Sequence, residues 1–568
     1  MTVAFEGSGA EILVETLLHG GVETVFGVPG DTGVALYDAL YRRPQLRHVL
    51  LNDERGAAFA ADAYARCSNR LGIVEVSSGG GVTFAVGGLG EAHAASVPLL
   101  VIASDIHRAS RGTGALTEID QVALFQSVTK WQAVATDAAE LPALLEEAAT
   151  RAVSDRPAPV VLIVPEDVLD ERARVELRPI RLELPPARPV PPPDAVARAV
   201  AALDGAGKPA IVAGGGVHLS GAYAELRALA ERTGAAVATT LHGKGAFADG
   251  ALSLGTLGAN GGRPHANGYV AGSDAVLLVG TRANATDTDG FESPPRSGTI
   301  VAQIDVDPAR AGRNYPGAIA LPGDAAATLA ALADRVRPDP ARSAATAVRI
   351  AREREAWHGA RRAGVDGALD PAAVVATLRE VAGDEVTVIG DCGTPTPYLA
   401  AGWQQTTPGR RVILPRGHGP MGFAYPAALG VAAARPGNPV LAVTTDGSLL
   451  MAAGALETAA RTGSPIVYVQ LSNGSLGWIK ALQHFHYQGR FASTQISRFD
   501  AAAVARGFGV HASFAGSLED LAHAVRDGLA GGGPALVDVS VPDEHDMLPP
   551  VAPWERAAAR PGTGRAVY

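Results

Sequence analysis

The sequence predicts an α/β protein of three domains, each a mainly parallel sheet flanked by helices. Short apolar runs bounded by turn residues alternate with alanine-rich helical segments, a pattern typical of buried parallel strands. Two proline-rich stretches, 182–194 and 335–342, divide the 568 residues into three blocks of domain size. The first and third blocks share a strand rhythm, which indicates two related domains around a central one.

These stretches set the predicted domain boundaries. The predicted domains are 1–181, 195–334 and 345–550, followed by a C-terminal tail, 551–568. The strands predicted most clearly are 24–28, 71–76, 99–103, 209–213, 275–279, 300–304, 386–389, 440–444, 466–471 and 535–539. In open parallel sheets ligands bind beyond the carboxyl ends of the strands, so the residues that follow these strands matter most.

Composition excludes several classes of protein. The chain has 48 basic and 58 acidic residues, a net charge of −10, which argues against nucleic acid as a partner. It has no apolar run of membrane-spanning length and no signal-peptide pattern at its start, so we expect no membrane association and a cytoplasmic location. Two cysteines, Cys67 and Cys392, are too few for a disulfide framework.

Two polar residues follow neighbouring predicted strands of the third block. Asp446 and Asn473 should therefore meet at one edge of the sheet, where a carboxylate and an amide oxygen suit Mg²⁺. Gly447 and Ser448 begin a predicted helical stretch, and their amides could hold a diphosphate. Taken alone, Asp-Gly and Asn-Gly are also common turns.

In this context the chain resembles the thiamine diphosphate enzymes, specifically their acetolactate-synthase-like branch, over nearly its whole length. The family's metal motif reads Gly-Asp-Gly and, after a matching interval, Asn-Asn. Thr445 and Ser472 replace two of those residues here, but both metal ligands, Asp446 and Asn473, are retained. The resemblance implies the backbone carbonyl of Ser475 as the third protein ligand. It also implies the family's fold, with two related cofactor domains around a central domain.

Residues 52–66 (NDERGAAFAADAYAR) resemble the segment that carries the family's catalytic glutamate. The resemblance implies that Glu54 is this glutamate and hydrogen-bonds the pyrimidine ring of the cofactor. The alternative is a carboxylate that merely stabilises a helix start. Asp53 stands where the family usually has histidine, and it could raise the proton affinity of Glu54 by repulsion.

Two further segments resemble cofactor-binding parts of the family. Residues 417–428 (GHGPMGFAYPAA) match the loop that grips the aminopyrimidine. There Met421 would wedge the cofactor into its bent form and the Gly419 carbonyl would face the pyrimidine amino group. Gly393 and Thr394 match a turn that faces the diphosphate.

The resemblance implies a thiamine diphosphate- and Mg²⁺-dependent enzyme that decarboxylates a 2-oxo acid or related acyl donor, with or without carbon–carbon bond formation. It also implies self-association, at least a homodimer, with active sites at the dimer interface. Three alternatives stay open: a carbon–carbon lyase or hydrolase without decarboxylation, a catalytically silent regulatory homologue, and an NAD-linked oxidoreductase. A clean Gly-x-Gly-x-x-Gly is missing after the first strand, which disfavours the last.

Other positions depart from the acetolactate synthases. Leu116 and Thr117 replace the Phe-Gln pair of the synthases, and Lys480 enters a stretch that should cover the active site. We therefore expect that this is not a housekeeping acetolactate synthase. These three residues are candidate substrate contacts, although Lys480 could equally lie on a solvated helix face.

Three more candidate substrate contacts are Asp31, His107 and His484. Surface or structural roles are the alternative for the histidines.

The central block corresponds to the domain that binds FAD in some members of the family. Gly214-Gly215-Gly216 is a weak nucleotide signal. Residues 281–287 (TRANATD) lack the aromatic and acidic pattern expected of FAD binders, so FAD stays open but is not favoured. The segment 546–554 either folds over the site as a lid or is disordered.

Overall fold

The structure, a computed structural model, describes residues 3–358, 368–547 and 549–559. In these residues the strands form three six-stranded sheets and one two-stranded sheet. Every strand pair within the six-stranded sheets is parallel, and helices flank each sheet, so the predicted fold class is confirmed. None of the helices in these ranges combines the length and the apolar character needed to cross a membrane.

The first block holds a sheet of order β3-β2-β4-β5-β7-β6, with β1 and β8 paired antiparallel beside it. Its strands are β1 Val3–Ser8, β2 Thr24–Gly27, β3 Arg47–Leu50, β4 Gly72–Val76, β5 Leu99–Asp105, β6 Gln132–Val134, β7 Val160–Pro165 and β8 Arg172–Leu177. Its α-helices are α1 Gly9–His19, α2 Val34–Tyr41, α3 Glu54–Ser68, α4 Gly80–Ala95, α5 Gln121–Phe125, α6 Leu141–Val153 and α7 Glu166–Asp170. Short 3₁₀ helices cover Asp31–Gly33, Arg108–Ser110 and Ala138–Glu140.

The central block holds a sheet of order β11-β10-β9-β12-β13-β14. Its strands are β9 Pro209–Ala213, β10 Ala236–Thr239, β11 Ser253–Thr256, β12 Ala275–Val279, β13 Ile300–Asp305 and β14 Ile319–Pro322. The helices of this part of the chain are α8 Pro193–Gly205, α9 Gly215–Ser220, α10 Tyr223–Thr233, α11 Pro264–Ala271, α12 Ala325–Ala333 and α13 Pro340–His358.

The third block holds a sheet of order β16-β15-β17-β18-β20-β19. Its strands are β15 Thr387–Gly390, β16 Val412–Ile413, β17 Val440–Thr445, β18 Ile466–Ser472, β19 His511–Ala515 and β20 Ala535–Ser540. The helices that follow α13 are α14 Pro371–Ala382, α15 Pro395–Gly402, α16 Ala424–Ala434, α17 Asp446–Ala452, α18 Gly454–Thr462, α19 Gly477–Tyr487, α20 Ala501–Gly507, α21 Leu518–Gly531, α22 Glu544–Met547 and α23 Ala552–Ala559.

Each of the predicted strands forms, with ends within two residues of the prediction. The helical stretch predicted to begin at Gly447 and Ser448 is two helices, α17 and α18, with Ala453 between them. The first of them begins at Asp446, where the hydroxyl of Thr445 caps it by accepting the N–H of Ser448 at 3.3 Å.

The predicted domain boundaries stay a prediction. The helix α13 begins inside the second proline-rich stretch and packs on the central block, where Thr346 donates its hydroxyl to the carbonyl of Gly234 at 2.9 Å. In the predicted tail, residues 551–559 form a bridge and α23, whereas 560–568 lie outside the described residues.

The first and third blocks are joined by the packing of α3 against α16. An alanine-rich sequence favours α3, and Asp53 caps it by accepting the N–H of Gly56 at 3.0 Å. A Cβ atom on Gly430 of α16 would lie only 1.8 Å from the carbonyl oxygen of Ala60, so the two backbones touch. Phe59 and Phe423 pack edge to face beside this contact, within one core that reaches both sheets.

The close contact at Gly430 predicts that one added methyl group lowers the stability of the fold strongly. We expect Gly430→Ala to lower the free energy of unfolding by about 2 kcal/mol or more, because the Cβ overlaps backbone that cannot move aside. Gly268→Ala in α11 is the matched control, since nothing lies within 4 Å of its Cβ position and alanine favours helix. The measurement is the midpoint of thermal unfolding; equal midpoints for Gly430→Ala and the wild type would contradict the helix contact.

Candidate active site

Asp446 and Asn473 lie side by side at the carboxyl ends of β17 and β18, which are adjacent parallel strands. One carboxylate oxygen of Asp446 accepts the backbone N–H groups of Asn473 at 3.1 Å and Gly474 at 2.7 Å. The other oxygen accepts the N–H of Gly447 at 2.8 Å. Burial raises the pKa of Asp446. The structure thus brings together the two residues that the strand order places at one edge.

The third predicted ligand position, Ser475, belongs to the same turn. The side-chain oxygen of Asn473 accepts the backbone N–H of Ser475 at 3.0 Å. The hydroxyl oxygen of Ser475 lies 3.2 Å from the same Asn473 oxygen. The Ser475 hydroxyl also donates to Asp543 at 2.5 Å. A carboxylate and an amide oxygen side by side at the ends of adjacent strands are hard donors of the kind that Mg²⁺ takes, so the donor set fits that ion.

Met421 lies over the turn that follows β17. A Cβ atom on Gly447 would come within 2.9 Å of the terminal methyl of Met421, so glycine is needed there to make room. Gly422 donates its N–H to the hydroxyl of Ser448 at 3.3 Å, which ties the two segments together. The amides of Gly447 and Ser448 donate within the turn itself, to Asp446 and Thr445.

The other predicted diphosphate turn faces the same region. Gly393 has a positive φ of 96°, and a Cβ atom there would meet nothing within 4 Å, so the backbone is open to a ligand. Gly419, with φ of 70°, approaches this turn closely, because a Cβ on it would lie 3.4 Å from Cys392 Sγ. The structure therefore brings Gly393, Gly419 and Met421 to one place.

Sequence reasoning missed Glu544, which contacts this turn. Its carboxylate accepts the hydroxyl of Thr394 and is 1% exposed. Burial raises the pKa of Glu544 to about 7. The signal that could have found it is its place just beyond the carboxyl end of β20.

Glu54 is the first residue of α3 and is partly buried. Its carboxylate lies beside the turn that follows β4, since a Cβ on Gly81 would be 3.3 Å from Oε1 of Glu54. Burial raises the pKa of Glu54, and the adjacent Asp53 carboxylate raises it further. None of the hydrogen bonds among the described residues joins its carboxylate to 417–421 or to 446–475 of the same chain.

A chain of four hydroxyl groups crosses the ends of the first sheet and joins the predicted site residue Thr117 to Ser78, Thr32 and Ser104. The Thr32 hydroxyl lies 2.8 Å from that of Ser104 and 3.2 Å from that of Ser78. The Ser78 hydroxyl lies 2.7 Å from that of Thr117. Thr117 has a positive φ of 66°, which is rare for a β-branched residue, and its neighbour Leu116 is 82% exposed.

Asp31 and His107, two candidate substrate contacts, are both exposed. Asp31 begins a 3₁₀ helix. The Nδ1 atom of His107 accepts the N–H of Ala109 at 3.1 Å, so this ring caps another 3₁₀ helix. The structure gives His107 a local structural role and places neither residue against the Asp446 turn.

Comparison with known proteins agrees with this geometry. Sequence profiles of thiamine pyrophosphate enzymes match in three parts: the N-terminal TPP binding domain at 7–124, the central domain at 196–332 and the C-terminal TPP binding domain at 391–539. The acetolactate synthase large subunit of Parasynechococcus marenigrum (strain WH8102) is 33% identical over 98% of this chain and 91% of its own length. The chain belongs to the thiamine pyrophosphate (thiamine diphosphate) enzyme family.

Further relatives are also acetolactate-synthase-like. A probable acetolactate synthase large subunit of Methanocaldococcus jannaschii is 31% identical over 96% of this chain and 94% of its own length. Probable acetolactate synthase 2, chloroplastic, of Oryza sativa subsp. japonica is 33% identical over 95% of this chain and 84% of its own length. The resemblance inferred from the motifs is thereby confirmed.

In this thiamine diphosphate enzyme, α19 carries Lys480 and His484. The Lys480 ammonium lies 2.5 Å from the carboxylate of Asp543, and both side chains are largely buried. The ring of His484 stacks on His545 with centroids 4.7 Å apart. Lys480 is thus engaged in an ion pair within the chain, and it is not a cation on a solvated helix face.

The C-terminal segment packs against α19 and the central block. Trp554 is fully buried, and its ring centroid lies 4.4 Å from that of Trp478. Arg556 forms two hydrogen bonds with the carboxylate of Asp289, at 2.6 and 2.8 Å. The described part of the tail, residues 551–559, therefore packs against α19, the helix next to the candidate site.

A separate cavity of about 600 Å³ lies between the first and central blocks. It is lined by the glycine turn after β9, by Thr281 and by charged side chains. These are four arginines (Arg156, Arg188, Arg282 and Arg310) and four aspartates (Asp155, Asp287, Asp305 and Asp324). Burial, reinforced by the charges of Arg282 and Arg310, lowers the pKa of Arg156 to about 10. The four arginines and four aspartates balance in formal charge, so the lining charge by itself favours neither an anionic nor a cationic occupant.

The packing of Trp554 predicts that removal of its side chain lowers the stability of the fold. We expect Trp554→Ala to lower the free energy of unfolding by about 3–5 kcal/mol, because it leaves a cavity between Trp478 and Phe485. Phe514→Ala is the matched control, since that aromatic side chain is 62% exposed. Thermal unfolding and limited proteolysis of the tail measure the effect. A loss of stability no larger than that of Phe514→Ala would contradict the stabilising role of the Trp554 packing.

Proposed function

We propose that the protein is a thiamine diphosphate- and Mg²⁺-dependent enzyme that decarboxylates a 2-oxo acid, with or without forming a new carbon–carbon bond. The observation that carries the proposal is the convergence of Asp446, Asn473, Met421 and Gly393 in a chain of this family. Leu116 and Thr117 support an activity other than that of a housekeeping acetolactate synthase, because an exposed apolar side chain and a hydroxyl stand where the synthases have Phe-Gln.

The residues divide the work as follows. Asp446 and Asn473, with the carbonyl of Ser475, hold Mg²⁺ through oxygen donors. Gly393, Thr394, Gly447 and Ser448 line the diphosphate. When bound, thiamine diphosphate supplies the carbanion chemistry, and the protein supplies geometry and electrostatics.

Glu54 is the residue that would exchange a proton with the pyrimidine ring of the cofactor. Its raised pKa strengthens its affinity for the proton that it would share with N1′ of the pyrimidine. Met421 would support the bent form of the cofactor, and the Gly419 carbonyl would face its amino group.

We propose that each active site forms between two copies of the chain. The Glu54 carboxylate has no hydrogen bond to the Met421 loop of its own chain. Exposed apolar side chains, Val34 at 64%, Phe84 at 62% and Leu116 at 82%, lie on the same block as Glu54 and suit burial against a second copy. Sedimentation of fully active protein as a monomer would contradict this.

We also propose that the cavity between the first and central blocks binds a nucleotide, since Gly215 and Gly216 of the turn after β9 and four arginines are part of its lining. FAD stays open as that nucleotide. The cavity volume of about 600 Å³ lies within the range of about 300–1,000 Å³ that is usual for cofactor sites. Visible flavin absorbance of the purified protein decides between FAD and a colourless nucleotide.

Product analysis tests the proposed reaction. Purified protein with thiamine diphosphate and Mg²⁺ is incubated with a panel of 2-oxo acids, and CO₂, aldehydes and ketols are measured. CO₂ from at least one acid supports the proposal. Turnover of other acyl compounds without CO₂ would favour a lyase or hydrolase, and no turnover would favour a silent homologue.

Glu54→Gln is expected to lower kcat/KM by roughly 10²- to 10⁴-fold, because the amide cannot exchange a proton with the pyrimidine. Binding of thiamine diphosphate, followed by calorimetry, should be retained. Glu147→Gln, on an exposed helix face of the same block, is the control and should leave both unchanged. Full activity of Glu54→Gln would contradict the assignment.

The pH profile should respond to Asp53. Asparagine keeps the helix cap but removes the negative charge that helps to raise the pKa of Glu54. With Asp53→Asn that pKa falls, so the acid limb of kcat/KM against pH should move to lower pH. An acid limb that stays in place or moves to higher pH would contradict the electrostatic coupling.

A further inference from the structure

A fully buried carboxylate contacts the loop that carries Met421. Glu91 lies in α4 of the first block and is 0% exposed. Its Oε1 atom accepts the N–H of Gly417 at 2.9 Å, and its Oε2 atom accepts those of His418 at 2.7 Å and Gly419 at 3.1 Å. Three successive backbone donors therefore meet one side chain from another block.

The loop needs such an anchor, because these N–H groups belong to neither a helix nor a sheet ladder. A carboxylate is the group that suits them, since both of its oxygens only accept hydrogen bonds. Gly419 also has a positive φ of 70°, a conformation that must be held from outside the loop.

A buried arginine holds Glu91 in place. Arg66, in the last turn of α3, donates to Oε1 of Glu91 at 3.2 Å and pairs with Asp62. Burial alone would lower the pKa of Arg66, but the two carboxylates raise it, so the guanidinium stays charged.

Arg66 also reaches both ends of the loop. It lies 3.5 Å from the carbonyl of Leu414, where the loop begins, and its guanidinium is 5.8 Å from the ring centre of Phe423, where the loop ends. Arg66 and Glu91 thus contact the start, middle and end of the loop, whereas Asp62 contacts Arg66 and not the loop.

We propose that Glu91 is a positioning residue for the cofactor, which sets the conformation of residues 417–421 through three backbone N–H groups while Arg66 fixes its carboxylate. The inference rests on the proposed function of Gly419 and Met421. Because α3 begins with Glu54, the same helix presents the proton-holding glutamate and anchors the cofactor loop.

Two matched variants test the proposal. Glu91→Gln and Asp62→Asn each remove one negative charge beside Arg66 at a fully buried position. Only Glu91→Gln turns an acceptor into a donor that faces the loop, because Asp62 hydrogen-bonds Arg66 and no loop residue among those described. The two variants are compared in the full chain with saturating Mg²⁺.

The readouts are the Kd of thiamine diphosphate by calorimetry and the near-ultraviolet circular dichroism of the bound cofactor. We expect Glu91→Gln to raise Kd about tenfold or more and to change the dichroism at saturation, since unpaired buried donors release the loop. Asp62→Asn should lower thermal stability but leave both readouts as in the wild type. A wild-type Kd in Glu91→Gln, or equal effects of the two variants, would overturn the proposal.

A further variant covers loss of folding. If Glu91→Gln does not fold, Glu91→Asp keeps the charge but withdraws the carboxylate from the loop by one methylene, and the same rise in Kd is expected. An unchanged Kd in Glu91→Asp would then overturn the proposal. If the wild-type chain itself does not bind thiamine diphosphate, the proposed function and this inference both fail, whereas binding by the wild type with equal binding by Glu91→Gln defeats only the inference.

Discussion

The contact of α3 with α16 is the constraint on which the rest of the structure depends. At Gly430 the two backbones touch, and a single core continues from the first sheet to the third. Arg66 of α3 lies near Phe423 beside this contact and pairs with Asp62 of the same helix and with Glu91 of α4. Two sheets that share no strand are thereby held in a fixed relation within one chain.

The candidate site separates rigid from adaptable parts. Asp446 and Asn473 stand at the ends of adjacent buried strands, where the sheet fixes them to within hydrogen-bond distance. In the proposed metal site the donors are Asp446 and Asn473, so Thr445 and Ser472 are free to depart from the family pattern. Leu116 and Thr117 lie on a surface loop, where a change of side chain does not disturb the core.

The sequence was enough to predict the sheets and the meeting of Asp446 with Asn473, because both follow from local pattern and strand order. It could not pair Lys480 with Asp543 or Glu91 with the loop at Gly417, since these contacts join distant segments and leave no local signal. The positive φ of Thr117 was equally hidden, because no glycine marks it. What escaped prediction is long-range polar contact, which only the folded chain defines.

The proposed function depends on this chain binding thiamine diphosphate through a metal held by Asp446 and Asn473. The most direct measurement is calorimetric titration of the metal-stripped protein with thiamine diphosphate, with and without Mg²⁺. The account predicts tight binding that requires Mg²⁺. Binding that is independent of a divalent metal, or no binding by well-folded protein, would contradict it.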